Sequence, residues 1–431
     1  MALTGRLGLL ALACAALVGV GAPSWTGILA VQAGLLGLVA VDLLLAGSVR
    51  AVQPTRSGAE SVRLGEPTEV SVAVTNTGRR AVRGQLRDAW PPSAGALNSR
   101  HRISVPAGGR RTVTTVLRPS RRGDRHAGRV TVRALGPLGL AGRQGSQPVP
   151  WTVRVLPPFH SRRHLPSRLA RLRELDGRTL IMVRGQGSEF DSLRDYVLGD
   201  DVRSIDWRAT ARRQNVVVRT WRPERDRHIL VVLDTGRTSA GRVGDAPRLD
   251  AALDAALLLA ALATRAGDRV DLLAYDRVVR ASVQGAGAAQ VLPAFVDAMA
   301  PLEPALLEAD WRGLAGQIQR RARHRALVVL LTGLDASAVE SGLRQVLPAL
   351  VHRHQVVVAS VADPRIEAMA AGRGAAQQVY EAAAAERTRL ERRRTTAELT
   401  KHSVEVVDAP PDELPPALAD RYLQLKAAGR L

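Results

Sequence analysis

Cysteine is all but missing from this chain of 431 residues: Cys14 is the only one, and it lies in an apolar run. Disulfides within the chain and cysteine-ligated zinc are thereby excluded. Lysine is nearly as scarce, with only Lys401 and Lys426 among 61 basic residues. Neither follows a glycine-rich loop, so there is no Gly-x-x-x-x-Gly-Lys-Ser/Thr phosphate cradle and the chain is not itself a P-loop ATPase. No Gly-x-Ser-x-Gly nucleophile elbow occurs, and no low-complexity tract suggests disorder. His160 with His164 and His352 with His354 have metal-like spacing, but arginines intervene and no third ligand is evident, so these read as surface histidines. What remains is 46% hydrophobic, enough for two or three domains with cores of their own.

Two apolar segments open the chain, Leu7 to Ala22 and Gly27 to Ala46, separated by Pro23, Ser24, Trp25 and Thr26. The second has about the twenty residues needed to cross roughly 30 Å of hydrocarbon, and the first is nearer the lower limit. They read as a transmembrane helical hairpin over residues 1–50. The competing reading is a signal peptide cleaved after Ala22. Arg6 on one flank and Arg50, Arg56 and Arg63 on the other place both ends, and the body of the protein, in the cytoplasm by the positive-inside rule. Asp42, near the end of the second segment, is expected to reach the membrane interface. Residues 51–156 carry 18 basic against 5 acidic side chains, whereas 228–431 carry 25 against 24. Positive charge next to the spans predicts attraction to an anionic inner leaflet. Without a nucleic-acid motif beside it, that charge does not indicate a nucleic-acid partner.

Residues 57–156 read as an antiparallel β-sandwich, because TEVSVAVT (Thr68 to Thr75), RTVTTVL (Arg111 to Leu117), RVTVR (Arg129 to Arg133) and TVRV (Thr152 to Val155) alternate with period two between turn residues. A basic connector with an acidic and aromatic cluster fills 157–227. From 228 to 431, apolar runs at Ile229 to Leu233, Val270 to Ala274, Ala326 to Leu331 and Val356 to Val361 are separated by helical stretches such as Leu249 to Arg265 and Ser337 to His352. This alternation predicts a mostly parallel sheet covered on both faces. Arg365 to Thr400 reads as one long solvated helix. The expected fold class is thus multidomain: helical hairpin, β-sandwich and α/β domain.

The densest motif is GSEFDSLRDYVLGDDVRSIDWRATARR, Gly187 to Arg213. Its acids lie among arginines able to grip carboxylates in two-pronged fashion, with Phe190, Tyr196, Ile205 and Trp207 as apolar anchors that would pin the segment to a domain surface. The pattern Gly187, Glu189, Phe190, Leu193, Arg194, Tyr196, Gly199, Asp200, Arg203, Ile205, Asp206 and Trp207 resembles the signature of the domain-of-unknown-function 58 family, DUF58. The likeness extends to the two apolar segments, the Gly136-Pro137-Leu138-Gly139-Leu140 turn and the order of domains. These twelve residues are the expected partner face.

Asp234-Thr235-Gly236-Arg237-Thr238, directly after a strand, is similar to the metal-ion-dependent adhesion site of a von Willebrand factor type A domain. Such sites use Asp-x-Ser-x-Ser with a distant Thr and Asp because magnesium wants an octahedron of oxygens. Asp234 and Thr238 keep two positions and are the candidate metal ligands. Gly236 replaces a serine, and Gly333 stands where the distant aspartate should be, so a degenerate, metal-free face is expected, with Mg2+ as the ion to test. The family resemblance further implies a partner, a MoxR-type AAA+ ATPase. The expectation is a non-catalytic membrane-anchored adaptor working with that ATPase in protein complex assembly or maturation. The alternatives are an extracytoplasmic metal-dependent adhesion protein and a hydrolase centred on Asp200, Asp201 and Asp206.

Overall fold

The computed structural model describes residues 2–21, 24–182, 189–197, 200–213, 215–222 and 227–431. Gly187 and Gly199 of the signature lie outside the described residues, as do the side chains of Glu189 and Phe190. The chain divides into two compact units, Met1–Pro158 and Phe159–Leu431.

The first unit begins with a two-residue strand, β1 (Ala2–Leu3), and two apolar helices, α1 (Gly5–Gly21) and α2 (Trp25–Leu45). Ser24 caps α2, its hydroxyl accepting from the Gly27 amide at 3.1 Å. Among the described residues α2 is the one helix long and apolar enough, by length and composition, to cross a membrane; α1 has 17 residues. Ten strands follow: β2 (Val52–Gly58), β3 (Ser61–Arg63), β4 (Thr68–Asn76), β5 (Val82–Asp88), β6 (Arg100–Val105), β7 (Arg110–Leu117), β8 (Gly123–His126), β9 (Arg129–Leu135), β10 (Ala141–Pro148) and β11 (Thr152–Leu156). One sheet has the order β1-β10-β9-β5-β6 and faces a second, β2-β4-β7; a third, β3-β11-β8, packs Val62, Val153 and Val155 against Val70 and Leu117 of the second. Pairing is antiparallel except between β3 and β11. Alternate residues face inward. Val52, Val72 and Val74 from one sheet therefore meet Val82, Leu86, Ile103, Val105, Val130 and Val132 from the other.

Both ends of the helical pair return to one edge of this sandwich. Ala2 and Leu3 pair with Gly142 and Ala141 of β10. At the other end the Asp42 carboxylate, fully buried, accepts from the amides of Leu138 (2.8 Å), Leu140 (2.7 Å) and Ala141 (2.8 Å). Asp42 therefore does not reach outward to an interface as expected. The Gly136–Leu140 turn wraps it, and Gly136 packs so closely on the carboxylate that a Cβ there has no room. Arg56, expected among the flanking charges, is likewise turned inward. Its guanidinium bonds Asp88 at 2.5 Å with both side chains sealed from solvent, and Asp88 also accepts from the Trp90 indole at 2.8 Å.

The second unit opens with α3 (Leu165–Met182), β12 (Glu189–Asp195), α4 (Trp207–Arg213) and β13 (Val217–Arg222). The α/β sheet then alternates: β14 (His228–Asp234), α5 (Arg237–Ala240), a small hairpin of β15 (Arg242–Val243) and β16 (Ala246–Pro247), α6 (Arg248–Arg265), β17 (Arg269–Tyr275), β18 (Val279–Val283), α7 (Val291–Met299), α8 (Trp311–Arg321), β19 (Leu327–Leu331), α9 (Ala336–Ala338), α10 (Arg344–Val351), β20 (Gln355–Val361), α11 (Pro364–Ala370), α12 (Ala376–Lys401), β21 (Glu405–Ala409) and α13 (Leu414–Ala427). The sheet order is β18-β17-β14-β19-β20-β21, parallel but for the edge strand β18. Strands covered on both faces read as unbroken apolar runs, as LVVLL of β19 does. One face packs on Trp311, Leu314 and Ile318 of α8 and Leu347 and Leu350 of α10. The other is covered by α6, an Ala/Leu helix buried nearly all round, and by α13 packed on it. The long helix expected from Arg365 to Thr400 is two helices, because Gly372 and Gly374 interrupt it between α11 and α12.

Candidate functional site

Counted along the chain, the six strands run 3-2-1-4-5-6 across the sheet, so the direction in which successive strands are added reverses between β14 and β19, which themselves run parallel. Ligand sites in such sheets lie at this switch point, beyond the carboxyl ends of the strands. Asp234 ends β14 there and is 1% exposed. Its Oδ1 accepts from the Gly236 amide at 2.7 Å, and its Oδ2 from the hydroxyls of Thr238 at 2.5 Å and Thr332 at 2.6 Å. Thr332, just past the end of β19, supplies the contact from across the switch point. Burial pushes the Asp234 carboxyl above its ordinary value; these three donors oppose the shift and the nearby charge of Asp276 adds to it.

Asp276, at the end of β17, is the residue that motif reading missed. Its signal was only position: the first acid after the run Val270 to Ala274. It is fully buried and bonds the Arg277 and Val278 amides and Arg280 Nε at 2.7 Å. Gly333 lies at the same strand ends, where a Cβ on it would stand 3.2 Å from the Thr238 Cβ. The Asp335 carboxylate lies 3.3 Å from where a Cβ on Gly333 would be, and is paired with Arg248 at 3.4 Å.

This donor set does not fit a magnesium ion. A hard dication asks for six oxygens in an octahedron, whereas one carboxylate and two hydroxyls converge on one another here. That carboxylate is already satisfied by three short hydrogen bonds, and Asp276 and Asp335 are each paired with an arginine. Among the described residues no group of three His, Cys, Asp or Glu side chains could hold a metal.

The segment 301–310 lies across the same strand ends. Ala305 donates to the Thr235 carbonyl at 2.7 Å, Arg237 to the Leu307 carbonyl at 2.8 Å, and Asp310 to the Asp276 carbonyl at 2.7 Å. Its backbone thus bonded, the segment turns Leu306 and Leu307 outward, 81% and 46% exposed. No sequence pattern marked these two leucines.

The signature segment forms a separate cluster. Strands β12 and β13 pair antiparallel, Leu193 opposite Arg219 and Asp195 opposite Val217. Its acids shape the backbone. Asp200 takes Arg194 at 2.6 Å and the Val197 amide at 3.0 Å, and Asp201 caps the turn at Arg203. Asp206 bonds the Arg208 and Ala209 amides at 3.0 Å and Arg219 at 2.9 Å. The Ala209 amide, then Arg219, holds the Asp206 carboxyl below its usual range, so near neutrality it is an ionised cap and not a proton donor. Ile205 bridges to Val218. Trp207 is not an anchor: it is 66% exposed, with Val197 and Val202 exposed beside it in sequence at 61% and 59%. The buried side chains of this cluster are Val217 and Val218 of β13. Among the described residues no hydrogen bond or ion pair joins the signature to the Asp234 cluster.

The surface expectation for the paired histidines also fails at one position. His160 and His352 are exposed, but His354 is buried at the amino end of β20 with neither ring nitrogen bonded. At the amino end of the unit, Ser161 is likewise buried and donates through its hydroxyl to Asp254 of α6 at 2.7 Å, latching the start of this unit to that helix.

Residues 192–405 match the family described as protein of unknown function DUF58. The match begins inside the signature. Uncharacterized proteins of Mycobacterium tuberculosis and Mycobacterium bovis are 28% identical over 193 residues, which is 44% of this chain and 60% of theirs. The chain thus matches about three fifths of the length of these curated relatives. Among solved structures, the CARDB domain of a Pyrococcus furiosus protein in complex with di-metal ions is 15% identical, covering 26% of this chain and 91% of that one at a TM-score of 0.19. A cupredoxin domain from Nitrosocaldus yellowstonii is 12% identical, covering 26% and 89% at 0.18. Likenesses this slight carry nothing about fold or function.

Proposed function

We propose that this chain is a membrane-anchored, non-catalytic adaptor that grips protein partners through the carboxyl edge of its α/β sheet. The observation that carries the reading is the pairing of a saturated, buried Asp234 cluster with outward-facing Leu306 and Leu307 above it. A cluster whose polar atoms are all spent on one another is a scaffold for a surface, whereas exposed leucines held by a bonded backbone suit an apolar contact. The unit is read as a degenerate von Willebrand factor type A-like domain on the strength of Asp234, Thr238 and Thr332 at the switch point. The exposed Val197, Val202 and Trp207 form a second contact surface.

Helices α1 and α2 are read as a two-span hairpin. The 17 residues of α1 reach about 25 Å, which a locally thinned bilayer accommodates. Both of the sandwich-bound ends, and with them the body of the protein, then lie on the cytoplasmic face. The family resemblance points to a MoxR-type AAA+ ATPase as partner, supplying the ATP hydrolysis for which this chain has no P-loop.

The test is cross-linking and co-purification from native membranes, comparing the natural chain with Leu306→Asp/Leu307→Asp and with Trp207→Ala. Capture of an AAA+ ATPase that falls at least several-fold in the leucine variant is the expected result. Capture lost only in Trp207→Ala moves the contact to the signature, and no ATPase in any sample overturns the adaptor reading.

A further inference from the structure

We propose that the collar where the two helices meet the sandwich is a binding surface for anionic phospholipid headgroups. The inference rests on the membrane-anchor reading and adds which lipid chemistry the anchor selects and where.

The collar is rigid by construction. Strand pairing at Ala2–Leu3 and the triply bonded Asp42 fix both helices to the edge of β10 and to the Gly136–Leu140 turn. Apolar surface does not stop where the helices do. Leu44 and Leu45 at the end of α2 are 66% and 48% exposed, and so are Leu3 on β1 (60%) and Leu138 in the turn (46%). The last two belong to the sandwich edge, which extends the hydrocarbon-facing band onto the soluble fold.

Three guanidinium groups ring the same place. Arg143 donates from Nε to the Leu43 carbonyl at 3.1 Å, Arg80 donates to the Leu44 carbonyl, and a terminal nitrogen of Arg6 stands 3.0 Å from where a Cβ on Gly139 would lie. All three are exposed, and among the described residues none is paired with a carboxylate. The one acid at this level, Asp42, is turned inward and spent on backbone amides. Each guanidinium offers five donors in a planar fork, so Arg80 and Arg143 hold the last carbonyls of α2 with one donor each and keep others for a phosphate oxygen. By covering the negative end of the helix dipole they also remove the feature that would repel an anion there. A cationic ring directly outside an apolar band matches the layering of a leaflet, hydrocarbon first and headgroup phosphate next. That continuity with the span favours lipid over any dissolved anion.

The test uses the full chain in nanodiscs. With Cys14→Ser as background, a nitroxide is placed at Leu138→Cys, whose side chain takes no part in holding Asp42, and separately at Leu29→Cys within α2. Accessibility to lipid-soluble and water-soluble relaxants gives depth. The expected result is Leu29→Cys in hydrocarbon and Leu138→Cys at the headgroup boundary. A fully aqueous Leu138→Cys with a buried Leu29→Cys overturns the collar and leaves the anchor standing, whereas two aqueous labels overturn the anchor itself. In parallel, native mass spectrometry compares retained phosphatidylglycerol and phosphatidylcholine. The natural chain should keep the anionic lipid in several-fold excess, Arg80→Gln/Arg143→Gln should approach parity, and Arg80→Lys/Arg143→Lys should keep most of the preference. An unchanged preference in the glutamine variant overturns the assignment. Displacement of the lipid by an excess of inorganic phosphate overturns it as well.

Discussion

Arg56 and Asp88 show what one inward-turned charge is worth. Both side chains are sealed between the facing sheets, with Trp90 bonded to the same carboxylate and the guanidinium 5.7 Å from the Trp90 ring centre. Removing one partner strands a charge in apolar surroundings, so Arg56→Met should cost about 3–5 kcal/mol, seen as a lowered denaturation midpoint of the sandwich. Arg56→Met combined with Asp88→Leu should recover most of that loss. If the single variant melts like the natural chain, the pair is not what locks β2 to β5.

His354 poses a different problem at the same scale. Burial, and then the charges of Arg353 and His228, push its pKa below the ordinary histidine value, and neither ring nitrogen has a partner. The unfolded chain takes up this proton near pH 6.5 while the folded chain resists it, so its contribution to stability is lost as pH falls through that value. Asp234, Asp254 and Asp268 act in the opposite sense, because their carboxyls are raised by burial and the fold gains relative stability as they protonate. The difference between natural and His354→Leu proteins isolates the histidine. Acidification from pH 7.5 to 5.5 should destabilise the natural chain more than the variant, and parallel melting curves would refute this.

Among elements, α13 depends on one of the two lysines. Lys426 Nζ bonds both oxygens of Asp268 at 2.9 and 3.0 Å, and the Tyr422 hydroxyl bonds the same carboxylate at 2.5 Å. Asp268 directly precedes β17, so these contacts tie the last helix to the loop leaving α6. Lys426→Met should cost about 3 kcal/mol by leaving the buried carboxylate without its counter-charge, and hydrogen exchange should quicken first in α13. Equal protection in α13 and the sheet core would show the clasp to be dispensable. Strand positions were legible here because period-two and unbroken apolar runs follow directly from one or two buried faces. The break between α11 and α12 was not, since two glycines in a helix-forming stretch weaken a helix without saying whether tertiary contacts will override them.

For the whole molecule, the geometry of the first unit has a topological consequence. Because Leu3 pairs with Ala141 of β10 and Asp42, near the end of α2, accepts from the same residue's amide, the two outer ends of the helical pair must share one side of any bilayer they cross. Single cysteines at Ala2→Cys, on the strand face opposite to Leu3, and Ser48→Cys, in a Cys14→Ser background, should respond alike to a membrane-impermeant thiol reagent on intact cells. For a cytoplasmic body, neither should label until the cells are permeabilised. Labelling of only one would contradict the hairpin.

Composition and periodicity by themselves determined the apolar segments, the alternating strands, the buried parallel runs and the absence of a phosphate loop. Each of these is a property of neighbours along the chain. Tertiary structure alone decided the rest: that Asp42 is caged by a turn about a hundred residues away, that Arg56 faces inward, that His354 is buried and that Trp207 is not. It also decided that Asp234 is completed by Thr332 from another strand while Leu306 is held outward. Charge and hydropathy state what a side chain prefers, but whether it meets a partner or solvent depends on which distant backbone amides and side chains the fold brings within hydrogen-bonding distance.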